Sequence, residues 1–174
     1  KEVQMGNHGT TTFYGDELVT NGDMEVNDNW ADYNSVSANA WSGVYHGGAK
    51  GRSFTVDGVN QGIQSDVFTE DTVTGSTYAV DFWVYPEDGT IVSYFLHIGN
   101  DSGNHTDVDV TGLNENAWNN VTGTYTETAG GSDAYLVIHS NTQDSGVFYI
   151  DDVSIKEVGV ATGWTTAEAE PLIP

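Results

Sequence analysis

In residues 76–86, STYAVDFWVYP, the bulky side chains Tyr78, Val80, Phe82 and Val84 fall on every second position. Side chains of a strand point alternately to its two faces, so this spacing predicts a strand with one buried face and Asp81, Trp83 and Tyr85 on the other. A helix would scatter the same set around its axis, because helical neighbours recur at three and four residues. A chain built around such a strand needs partners for its backbone groups and a second layer over its apolar face.

The same alternation recurs in 90–99, with Val92, Tyr94, Leu96 and Ile98 on one face and Ser93, Phe95 and His97 opposite. In 133–141 it turns Leu136 and Ile138 inward and Tyr135, Val137 and His139 outward. Further strands are expected near 17–20, 43–46, 51–57, 61–69, 106–111, 119–128 and 146–157. Turn signals such as Asn21-Gly22, Asp57-Gly58, Asp88-Gly89 and Gly130-Gly131 separate them. Val and Thr occur 20 times each against 5 Leu, a balance that favours strands over helices. About ten short strands at this spacing predict an all-β, antiparallel sandwich. A length of 174 residues suits one core with short appendages. The expected division is an N-terminal arm over 1–16, a domain over 17–158, and a C-terminal arm or linker over 159–174.

Charge removes several function classes. With 26 acidic residues against 4 basic ones, the formal net charge is −22. Such a surface repels phosphates, so no nucleic-acid partner is expected, and anionic membranes are disfavoured likewise. No apolar run approaches the roughly 20 residues of a membrane span, so no membrane insertion is expected. The start, Lys1-Glu2-Val3-Gln4, lacks the apolar stretch of a signal peptide; an exported form is expected to have lost its signal or to use another route. The chain has no cysteine, which excludes disulfides, thiol nucleophiles and thiolate metal sites. A large acid excess does suit salty surroundings and supplies oxygen ligands for hard cations.

The positions opposite the apolar sets form the most informative group: Asp81, Trp83, Tyr85, Phe95, His97, Tyr135 and His139 on three strands. A sugar ring has an apolar C–H face and a rim of hydroxyls, so its site needs flat aromatic platforms beside hydrogen-bonding side chains. The alternative is that a loop, an arm or a neighbouring subunit covers Trp83 and Phe95. Trp30, Tyr33, Trp41 and Tyr45 lie in an Asn-rich stretch where ordinary loop anchoring is expected. Catalysis is not expected. Carboxylate pairs at glycosidase spacing arise by chance in so acidic a chain, Ser93, His97 and Asp81 lack a nucleophile elbow, and the five His show no tight metal-ligand spacing.

Four segments in order carry a family resemblance: Leu18-Val19-Thr20-Asn21-Gly22-Asp23-Met24-Glu25, Tyr78-Ala79-Val80-Asp81-Phe82-Trp83-Val84, Trp118-Asn119-Asn120-Val121-Thr122-Gly123-Thr124-Tyr125, and Phe148-Tyr149-Ile150-Asp151-Asp152-Val153-Ser154-Ile155. Over about residues 17–157 the chain resembles the carbohydrate-binding modules of the family four and nine type. The resemblance implies a jelly-roll sandwich without catalysis, an aromatic-lined cleft on the concave sheet, and often a structural calcium ion. It carries Trp83, Tyr85, Phe95 and His139 to that cleft by position only, and makes Trp118 a packing residue. Glu25 with Asp151 or Asp152 matches the positions that clamp the first and last strands around calcium; carboxylates beside turn carbonyls suit a cation that wants six to eight oxygens. The alternative is that one of the two aspartates caps a turn and the other is solvated.

The segment Val158 to Ala167 is similar to junctions in tail-fibre and other structural proteins of marine bacteriophages. Two functions follow. In one, the module binds a polysaccharide or cell-surface glycan; in the other, it is a decoration protein of a virion or filament whose subunits grip its terminal arms. Both place it outside a cell, on an extracellular or virion surface.

Overall fold

The strand predicted over 76–86 runs from Thr77 to Asp88 and turns Tyr78, Val80, Phe82 and Val84 into a closed core, as its spacing requires. The computed structural model describes residues 12–88, 91–98, 107–128, 131–140 and 145–160. Among the described residues the strands are β1 (Thr12–Tyr14), β2 (Trp30–Tyr33), β3 (Ala38–Ser42), β4 (Gly51–Val56), β5 (Gln61–Ser65), β6 (Thr77–Asp88), β7 (Ile91–Ile98), β8 (Val108–Thr111), β9 (Asn119–Thr126), β10 (Ala134–Ser140) and β11 (Gly146–Val160). No helix long and apolar enough to cross a membrane occurs among these residues.

Two antiparallel sheets form a jelly-roll sandwich. One has the order β3-β4-β11-β6-β9, with β1 added against β11; the other has the order β2-β5-β10-β7-β8. Their inner faces meet through Phe82 against Tyr94, ring edge to ring face at 5.7 Å, while Phe54 and Phe148 stack at 5.2 Å on neighbouring strands of the larger sheet. Leu136 and Ile138 complete the inner face of the smaller sheet. Arg52 is buried between the layers: it sits on β4 and donates from Nη2 to the Trp30 carbonyl of β2 at 2.8 Å.

β11 changes phase midway. Asp151 pairs with Trp83 and Ser154 with Asp81, so Asp152 and Val153 together oppose the single residue Phe82. Asp152 takes a φ of 50°, and this bulge lets Ile150 before it and Val153 and Ile155 after it all face the core.

Several expected boundaries move. The segments 17–20 and 43–46 are not strands; Leu18 donates to the Ile155 carbonyl at 3.0 Å, but the chain turns at Asn21 and Met24, both at positive φ, before any ladder forms. The short strands β1, β2 and β3 were not expected. β1 pairs Tyr14 with Val158 and Thr12 with Val160, so the sheet takes in residues on both sides of the expected 17–158 domain. Residues 1–11 and 161–174 of the expected arms lie outside the described residues.

Phe82 is fully buried and touches both layers. Phe82→Ala is expected to lower the unfolding free energy by about 3–5 kcal/mol, read from urea melts of the two proteins.

Candidate functional site

The seven residues expected on one surface divide between two. β6 belongs to the larger sheet and β7 and β10 to the smaller, so Asp81, Trp83 and Tyr85 face outward on one side of the sandwich while Phe95, Tyr135 and His139 face outward on the other. The chain crosses from one sheet to the other between Asp88 and Ile91, where a hairpin would have kept β6 and β7 side by side. His97 pairs with Tyr135 through its backbone, and its side chain lies outside the described residues.

On the smaller sheet a cross-strand row runs Tyr33, Gly62, His139, Ser93, Asp109 over all five strands. The row beside it places Phe95 against Val137. Phe95 is 0 % exposed and His139 2 %, although both sit on the outward face. Tyr33 helps to cover them: its ring meets Phe95 at 5.7 Å and His139 at 5.8 Å, and Phe95 meets His139 at 5.2 Å, all edge to face. Gly62 makes this possible. A Cβ there would collide with the Ile138 carbonyl and the His139 backbone, so only glycine lets β5 lie this close to β10 with Tyr33 next to it.

Polar groups surround this aromatic floor. His139 Nε2 lies 3.1 Å from Asp107 Oδ1, and Ser93 donates to Asp109 Oδ1 at 2.7 Å. Burial raises the Tyr33 phenol above its ordinary pKa, against an opposing hydrogen bond from the Asn34 side chain, and the Asp107 carboxylate raises it further. Burial raises Tyr135 as well, with Tyr33 adding to the effect, which places the two phenols within electrostatic reach of each other. The result is a half-buried Tyr33 over a buried Phe95–His139 floor, with half-buried Tyr135 on the same face, Asp107 at His139, and half-buried Gln64 in the cross-strand row of Phe95. Phe95 and His139 thus support a surface and do not form one. Tyr33, expected as a loop anchor, lies on β2, whose sequence WADY has too little alternation to announce a strand, and no local pattern marks Gln64 or Asp107.

On the larger sheet, Trp83 is covered by a loop. His46 stacks on it at 3.7 Å with an interplanar angle of 11°, and Trp118 packs edge-on against both His46 and Tyr85. Trp118 therefore packs as expected. Asp151 holds the loop down: its Oδ2 accepts the His46 and Gly47 amides at 2.7 and 3.0 Å, and its Oδ1 accepts the Asp152 amide at 2.8 Å. Burial raises the Asp151 pKa, its three amide donors oppose that shift, and neighbouring Asp152 adds to it.

Glu25, Asp151 and Asp152, expected to clamp calcium, do meet at one loop, residues 46–50. Glu25 Oε1 accepts the Ala49 and Lys50 amides at 2.6 and 3.1 Å, and Asp152 Oδ2 accepts from the His46 ring at 2.7 Å. Gly48, at a φ of 66°, leaves room for the Glu25 carboxylate, which a Cβ would strike. Among the described residues no three His, Cys or carboxylate side chains are grouped to hold a metal ion. In this arrangement the three residues clamp the loop by hydrogen bonds.

Comparison with known proteins agrees with the architecture. The model of the family described as carbohydrate binding domain, of the four-and-nine type, matches residues 16–146, and the chain belongs to that family. The tandem CBM22-1–CBM22-2 domain of Paenibacillus barcinonensis Xyn10C superposes with a TM-score of 0.64 at 20% identity, over 82% of this chain and 50% of that one, so this chain spans half its length. The CBM22-1 xylan-binding domain of the same protein gives 0.63 at 13% identity, over 88% and 99%. Tailspike protein 4 of bacteriophage CBA120 gives 0.58 at 15% identity, over 81% of this chain and 21% of the tailspike domain. At these identities the likeness is one of fold. No curated protein sequence matches the chain.

Asp151→Asn would replace with a donor one of two oxygens that both accept backbone amides. A loss of about 1–3 kcal/mol is expected, together with a change in tryptophan fluorescence as His46 leaves Trp83.

Proposed function

We propose that this domain binds a polysaccharide or cell-surface glycan on the outer face of its smaller sheet, without turning it over, at an extracellular surface. The observation that carries the reading is Tyr33 set over the buried Phe95–His139 floor, with the half-buried Tyr135 on the same outward face. Their rings supply apolar platforms with hydroxyl tips, and Gln64 and Asp107 supply the hydrogen-bonding edge that a sugar rim requires. Fixed rotamers favour binding, because little side-chain freedom is left to lose. Membership of a carbohydrate-binding family and the xylan-binding name of a similar domain support the same reading. Asp107 and Asp109 each turn one oxygen, Oδ1, to His139 and Ser93 respectively, which suits support of a site better than acid–base chemistry.

Decoration of a virion or filament is the second reading. It draws on the tailspike domain that shares the fold, but residues 1–11 and 161–174 of the arms on which it depends lie outside the described residues.

The test is calorimetry of the whole chain against xylan, β-glucan and β-galactan oligosaccharides, with Tyr33→Ala and Tyr135→Ala as variants. Each variant is expected to weaken binding about tenfold or more, while Trp83→Ala leaves affinity on this face unchanged. Equal affinity in parent and tyrosine variants would sink the assignment to this face. Calcium enters the same experiment as a variable: a rise in melting temperature over a chelator control that is lost in Glu25→Gln would identify Glu25, Asp151 and Asp152 as a cation site in a rearranged 46–50 loop.

A further inference from the structure

The opposite face of the sandwich carries a groove that this function leaves unused. It encloses about 570 Å³ between β1 and β9. Strand register explains its shape. Lys156, Ala79 and Thr124 form one outward row across β11, β6 and β9, and Ser154, Asp81 and Thr122 form the next. The methyl group of Ala79 keeps the floor low, and β1 raises a wall at one end with Tyr14, 60 % exposed. About 13 Å from Ala79 along β6, at a rise near 3.3 Å per residue, the face climbs into the Trp83–His46 stack.

The chemistry of the lining restricts the occupant. A peptide strand adds at a sheet edge, whereas the floor of this groove is the face of β6, which is paired on both sides, with β9 and with β11. An apolar partner would meet hydroxyls, a carboxylate and an ammonium group. An anion would meet Asp81 within a chain of net charge −22, where Lys156 already lies 3.8 Å from Glu17. The lining of hydroxyls, one carboxylate and an exposed aromatic ring fits an uncharged ligand rich in hydroxyls with one flat apolar face. The exposed Tyr14 ring suits that face; the Thr122 and Thr124 hydroxyls and Asp81, oriented by the Asn120 amide at 2.8 Å, suit the rim. We propose that this groove is a second glycan-binding site, separate from the first, taking a neutral pyranose chain on Tyr14, Asp81, Thr122 and Thr124.

Amide-resolved NMR titration of the whole chain with xylohexaose and cellohexaose tests it. In the Tyr33→Ala/Tyr135→Ala double variant, shifts at Tyr14, Thr122 and Thr124 are expected to persist on at least one probe. Adding Tyr14→Ala and Asp81→Ala is expected to weaken that residual binding about tenfold, with unchanged circular dichroism. Shifts confined to residues around Tyr33 and Tyr135 overturn the second site and leave the first standing. Shifts confined to the Tyr14 groove support the second site and sink the first. No shift at Tyr14, Thr122 or Thr124 with either probe at millimolar concentration overturns the proposal.

Discussion

The phase change in β11 is the constraint on which the other features rest. Without the extra residue at Asp152–Val153, Ser154 would point into the core and Ile155 out of it, because a slip of one residue exchanges the faces of a strand. β11 is also the strand to which β4, β6 and β1 all attach, so its register propagates through the larger sheet. At the bulge sits Asp151, a fully buried carboxylate that draws the 46–47 backbone down and sets His46 flat on Trp83. One irregularity thus orders a strand, a loop and an aromatic cluster.

How much of this was legible depended on whether the information was local. The strands around Tyr78–Val84, Val92–Leu96 and Leu136–Ile138 follow from alternation, since a half-buried strand must repeat every second residue. The bulge, which the expected strand over 146–157 did not include, leaves its trace in the apolar set, which moves from even positions, Phe148 and Ile150, to odd ones, Val153 and Ile155. Sheet membership was not legible. β6 and β7 are separated by a turn signal that reads as a hairpin, yet they belong to different sheets because pairing is decided by distant strands. That single step joined Trp83 and Phe95 into one imagined surface. Burial of Phe95 on its outward side was equally hidden, since it depends on Tyr33, 62 positions earlier in the chain, reaching over Gly62.

Charge is distributed to match this plan. One of the four basic residues, Arg52, is spent inside the fold, held by Asn39, Asn27 and the Trp30 carbonyl between the layers. Burial lowers its pKa while Asp32 and Asp28 oppose the loss of its proton. The outer surface is left almost wholly acidic, which favours partners recognised through hydroxyls and ring faces over those recognised through charge.

The pairing of β1 with β11 has a mechanical consequence. Thr12 and Val160 lie opposite each other at one end of an antiparallel ladder. Tension applied to the polypeptide at these two points loads the ladder's bonds one after another, from Thr12 toward Gly15, instead of shearing them together. Such a zipper opens at low force and leaves the ladders of β4, β6 and β9 intact, so the three residues of β1 act as a tether that yields before the sandwich does.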